Sequence, residues 1–108
     1  MTVLYMKKGD LLPDVTTQLI GPDGQALDLT LATGVTFFMK TKEGRSLVSR
    51  AATVVTATEG RVRHTWVAGD TDVEGAHNVE WRAIFPGAKP LTIPGMGFDQ
   101  IVIGSRLG

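Results

Sequence analysis

Residues Gly69–Phe85 read GDTDVEGAHNVEWRAIF, an acidic turn and a glycine followed by one long alternating run. Side chains two apart on a strand point to the same side. His77, Val79, Trp81, Ala83 and Phe85 therefore share one face, with Asn78, Glu80 and Arg82 opposite. The first set is apolar but for one imidazole and the second is polar, the pattern of a strand packed on one side and wet on the other. Ile84 breaks the alternation near the end.

The same rhythm recurs outward from this stretch. Val35, Phe37 and Met39 share a face, and so do Val62, His64 and Trp66, opposed by Arg61, Arg63 and Thr65. Strands are expected at Val3–Lys7, Val15–Ile20, Val35–Lys40, Ser46–Arg50, Thr53–Ala57, Arg61–Val67, Ala76–Phe85 and Phe98–Ile103, runs rich in Val, Ile, Thr, Phe and Trp. Turn signals separate them: Gly21-Pro22-Asp23-Gly24, Lys42-Glu43-Gly44, Thr58-Glu59-Gly60, Gly69-Asp70-Thr71-Asp72, Phe85-Pro86-Gly87 and Pro94-Gly95. Phe98 does not share a parity with Ile101 and Ile103, which calls for a bulge or a late strand start near Asp99. Leu27–Gly34 fits neither period and reads as irregular. About eight short antiparallel strands with no helix beyond a turn or two bury their apolar faces most economically as two packed sheets, an all-β sandwich.

Composition bounds the rest. The chain has 108 residues, 43% of them hydrophobic, which suffices for one core and leaves no room for a second domain. Lys and Arg total 11 against 11 Asp and Glu, so the clustered positive charge of a nucleic-acid binder is missing and no such partner is expected. With no cysteine, disulfides, thiolate ligands and a cysteine nucleophile are excluded. The start MTVLYMKKGD has its basic residues after the short apolar run, the reverse of a secretory signal, and no stretch reaches the ~20 apolar residues of a membrane helix. The expectation is a soluble protein made in the cytoplasm, with no membrane partner.

The opening stretch carries one more signal. Immunoglobulin-like sandwiches place a ring just inside the strand that follows the crossover between sheets, where its polar atom bonds back to the preceding turn. Tyr is usual there. Here Asp70, Asp72 and Gly75 form the turn and His77 supplies the ring, whose nitrogen can donate to the Asp72 carboxylate or to a backbone carbonyl.

In order and spacing, several segments together resemble the N-terminal domain of phage baseplate upper proteins, the BppU family. They are KKGDLLPDVTTQL (Lys7–Leu19), GPDGQALDLT (Gly21–Thr30), VTFFMK (Val35–Lys40), TATEGRVRHTW (Thr56–Trp66), the corner GDTDVEGAHNVEW (Gly69–Trp81) and TIPGMGFDQIVI (Thr92–Ile103). His64 and His77 stand where that family more often has Tyr. The resemblance covers nearly the whole chain and implies an immunoglobulin-like β-sandwich in a tailed-phage virion, docking on capsid, neck, tail or baseplate proteins in multiple symmetric copies. It brings no catalytic residues. With the chain ending at Gly108, an accessory virion piece is expected rather than a complete host-recognition device.

Candidate sites weigh as follows. His64 and His77 with Asp70 or Asp72 do not follow a known ligand spacing, and a structural role is the simpler reading, with no metal or other cofactor. No Ser lies in a Gly-x-Ser-x-Gly elbow, and Pro94-Gly95-Met96-Gly97 precedes a strand rather than a helix, so no enzyme is expected. Trp66 and Trp81 fall on inward parities and read as core. The alternative function, a carbohydrate-binding or host-adhesion module, needs an aromatic exposed on a loop, which only Phe85 or Phe98 offers. The docking edge is expected at Val3, Leu4, Tyr5 and Met6, a nearly all-apolar outer run, or in the tail Ile103–Gly108. Removal of residues 2–6 is then expected to leave the free domain folded while abolishing incorporation.

Overall fold

The computed structural model describes residues 3–93 and 100–105. Nine strands form among the described residues: β1 Val3–Lys7, β2 Val15–Gln18, β3 Gly34–Thr41, β4 Ser46–Ala51, β5 Thr53–Thr56, β6 Arg61–His64, β7 Gly75–Phe85, β8 Lys89–Ile93 and β9 Gln100–Gly104. A single 3-10 turn, Ala57–Glu59, joins β5 to β6. The larger sheet runs β1-β9-β7-β3-β4, with β8 also on β7, and the smaller runs β2-β6-β5.

The connections β2 to β3, β4 to β5 and β6 to β7 each cross between sheets, while β3–β4, β5–β6 and β7–β8 are adjacent antiparallel pairs. This is immunoglobulin-like wiring: β2, β6 and β5 take the places of strands B, E and D, and β3, β7 and β8/β9 those of C, F and G, with β4 added beyond C. β7 is the longest strand and the organiser. Its first part, Gly75–Asn78, pairs with β9, and its last part, Trp81–Phe85, pairs with β8.

Three features depart from the sequence-based expectation. β8 was not foreseen, because Lys89-Pro90 reads as a continuation of the Pro86-Gly87 turn; proline is tolerated there since β8 pairs with β7 alone among the described residues. β1 pairs with β9 in parallel, Leu4 against Ile101 and Met6 against Ile103, where only antiparallel pairing was expected. β6 stops at His64, short of the expected Arg61–Val67, because the chain turns into the corner there; Ile84, the break in the alternation, keeps its outward parity opposite Pro90. The expected bulge near Asp99, and Phe98 itself, lie outside the described residues.

The core sits between the inner faces. Phe37 on β3 is its centre, stacked on His64 of β6 (ring centroids 4.1 Å apart, planes 9° apart) and edge-on to Trp81 of β7 at 4.8 Å. Trp66 approaches Phe37 at 6.0 Å from just beyond β6, so that strand ends early while its inward parity persists. Such aromatic pairs add about 0.5–1.5 kcal/mol each beyond the area they bury. Leu27–Gly34, read as irregular, forms no strand until Gly34 opens β3, yet it seats Leu29 in the core and crosses Gly60 closely. A Cβ on Gly60 would meet the Leu27 carbonyl oxygen at 2.6 Å and that of Leu19 at 2.8 Å, and its φ of +68° is left-handed, so only glycine fits.

Candidate functional site

Two places gather the residues singled out above: the β6–β7 corner, and the outer edge of β1. At the corner, β6 ends at His64 and the chain turns through Gly69–Asp72 before re-entering the larger sheet at Gly75, whose φ of +121° allows the change of direction. The Asp70 carboxylate is buried inside this turn. Its Oδ2 accepts hydrogen bonds from the Val67 backbone N–H at 2.9 Å and from Arg50 Nη1 at 2.5 Å. Arg50 comes from β4, the edge of the opposite sheet, facing inward in register with Phe37. One carboxylate thus ties the crossover to both layers.

The third member is His64, whose Nε2 lies 3.4 Å from the same Asp70 oxygen. The ring is buried and makes no hydrogen bond at either nitrogen among the described residues. Burial pushes its pKa below the ordinary value of 6.5; the charge of Asp70 opposes this and that of Arg50 reinforces it. The imidazole is therefore neutral at pH 7 and acts as a flat partner for Phe37.

His77 closes the corner. Its Nε2 donates to the Val73 carbonyl at 2.8 Å, so of the two acceptors open to it the backbone one is used. Asp72 is exposed and contributes only a backbone contact to the turn, its N–H reaching the Gly69 carbonyl at 3.4 Å. Trp66 Nε1 donates to the Pro13 carbonyl at 2.9 Å, while the Trp81 ring is buried with its Nε1 unbonded among the described residues. Two residues sequence reasoning missed are Arg50 and Thr71. Thr71 is fully buried and its hydroxyl donates to the Asp10 carbonyl at 2.9 Å, which fastens the corner to the segment after β1.

His64 and His77 have different partners on opposite sheets and do not converge. No group of three or more His, Cys, Asp or Glu that could hold a metal occurs among the described residues. Nor is any helix among them long and apolar enough to cross a membrane.

The β1 edge differs from a uniformly apolar run. Leu4 and Met6 turn inward, Met6 into the core and Leu4 against it, and Val3 is half-buried. Tyr5 alone of the four stands out, 73% exposed on the opposite face beside Val102. Removal of residues 2–6 would therefore strip a core side chain as well as the edge, contrary to the expectation of a dispensable strand. Leu12, 76% exposed, lines with Tyr5 a groove of about 220 Å³ to which Lys7, Asp10 and Val102 also contribute. The outer backbone edge of β1 has no strand partner among the described residues. Of the loop aromatics considered for sugar stacking, Phe85 packs against the core, and Phe98 lies outside the described residues.

No protein-family model and no curated protein matches the chain. Among solved structures it is similar to the crystal structure of CopC from Methylosinus trichosporium OB3b, with a TM-score of 0.54 and 8% identity, over 100% of this chain and 89% of that one. At that identity the likeness shows the fold alone, a β-sandwich.

Proposed function

We propose that this chain is a non-enzymatic structural protein of a tailed-phage virion, allied to the N-terminal domain of baseplate upper proteins, which docks on neighbouring capsid, neck, tail or baseplate proteins through strand edges and loops. The observation that carries the docking part is the open edge of β1, where exposed Tyr5 and Leu12 flank a groove. An aromatic and an aliphatic anchor beside unpaired strand amides are what strand addition uses: backbone bonds give affinity, and the groove takes an alternate side chain of the incoming strand. The virion assignment is supported by the segment resemblance set out above. The braced corner makes the sandwich a rigid spacer, and symmetric placement sums weak single contacts by avidity. This role needs no cofactor.

The test is incorporation. A chain carrying Tyr5→Ser and Leu12→Ser is expected to stay folded and to lose co-purification with phage particles by about tenfold or more, as removal of interface anchors worth over about 1.4 kcal/mol would produce. Particles that carry the doubly substituted chain at the wild-type level would contradict the proposal, and so would particles that never contain the wild-type chain. Binding of the wild-type chain on a glycan array in place of particles would favour the carbohydrate-binding reading.

A further inference from the structure

The β6–β7 corner is fastened to more than its own two strands. The Trp66 indole N–H donates to the Pro13 carbonyl at 2.9 Å, the Thr71 hydroxyl donates to the Asp10 carbonyl at 2.9 Å, and the Thr71 carbonyl accepts from the Gly9 N–H at 3.2 Å. All three bonds reach the stretch 9–13 after β1, which carries Asp10 and Leu12, two of the residues that line the β1 groove. Residues 65–74, all of them described, belong to no strand, so the corner can part from the body without breaking a ladder. Segments of that kind open at the low end of a protein's range of local stabilities.

His64 sits beneath this corner. Trp66 lies edge-on to its ring at 4.8 Å, and the Asp70 oxygen is 3.4 Å from Nε2. Three charges act on it: Asp70 in the corner, Arg50 on β4, and Asp14 just before β2. The strands beside β6, which are β2 and β5, carry no charged residue, and Lys40 of β3 with Glu80 and Arg82 of β7 are exposed on the outer face of the larger sheet. A neutral imidazole has one N–H, whereas an imidazolium has two. Nε2 has an oxygen near it, but Nδ1 is buried with no partner among the described residues. A proton taken up in the closed form therefore leaves a buried N–H unsatisfied, and parting of the corner from the body gives it water.

We infer that the corner and the stretch 9–13 open together, as one local unit, when His64 takes up a proton, while both sheets stay folded. The opening stands on its own observations. Its consequence for docking, that acid takes Leu12 out of the groove, rests on the reading proposed above.

Native-state hydrogen exchange of the free chain, read by NMR in low urea from neutral pH downward as protection over the intrinsic rate, tests it. The Gly9 amide and the Trp66 indole are expected to share one protection, lower than that of the Phe37 and Trp81 amides. Low urea should leave it nearly unchanged while lowering that of Phe37 and Trp81, because a local opening exposes little surface. Below about pH 6.5 it should fall by up to about tenfold per pH unit, as one proton taken up on opening requires. In His64→Phe, and in His64→Gln as a second uncharged replacement, that fall should vanish. Four results would overturn the inference: protection that ignores pH, a fall that persists without His64, Gly9 and Trp66 exchanging only with the urea-sensitive unfolding of Phe37 and Trp81, or Trp66 opening while Gly9 stays closed. No particle enters this experiment, so its failure is separate from a failure of the incorporation test.

Discussion

The buried Asp70 carboxylate ties the β6–β7 crossover to β4 through Arg50 and to its own turn through the Val67 N–H. Replacing it with Ala leaves the Val67 N–H and the Arg50 guanidinium without their shared acceptor, and a loss of about 1–3 kcal/mol is expected in urea unfolding. Asp70→Asn should cost less, since an amide oxygen can still accept from Val67. Equal losses for the two would mean that charge, rather than backbone capping, dominates. His64 gives a pH signature. Its pKa in the folded chain lies below the unfolded value near 6.5, so the native state binds fewer protons than the unfolded one in that range. Its contribution to stability is whole above about pH 6.5 and is lost as pH falls from there through the folded pKa. His64→Phe, which keeps a ring against Phe37, should flatten the dependence of the unfolding midpoint on pH just below the unfolded pKa near 6.5. An unchanged slope would assign that titration elsewhere. Some of this was legible in the sequence and some was not. His77 announces itself by following Gly75 at the head of an alternating strand. Asp70 and Asp72, two residues apart in one turn, look alike until the position of Arg50, twenty residues upstream on another strand, separates them.

At the scale of elements, alternation located most of the strands because each buries one face. It failed where the deciding contact was non-local or where turn chemistry masked a strand. β8 is hidden by Pro90, and the parallel β1–β9 pair joins opposite ends of the chain with no local signature. β1 also shows how composition misleads: Val3-Leu4-Tyr5-Met6 reads as an apolar edge, yet its register with β9 sends Leu4 and Met6 inward and Tyr5 outward. Met6→Ala is accordingly expected to cost about 2–4 kcal/mol of stability through a core cavity. Tyr5→Ser should stay within about 0.5 kcal/mol of the wild type. Guanidinium unfolding of both variants checks the register, and the reverse ranking would place β1 the other way up.

For the whole molecule, the sandwich follows from the every-second-residue pattern between glycine-bearing turns, and its immunoglobulin-like wiring from which strands cross between layers. The proposed docking role rests on what the fold leaves open. Among the described residues, backbone amides on the outer edge of β1 have no strand partner, whereas those of β3 and β7 are paired on both sides. Hydrogen exchange on the chain, free and bound to phage particles, reads this directly. The account predicts that β3 and β7 exchange slowly in both states, and that β1 together with residues 10–12 exchanges quickly in the free chain and becomes protected on the particle. Protection that appears only at other surfaces, with β1 as open as before, would contradict it.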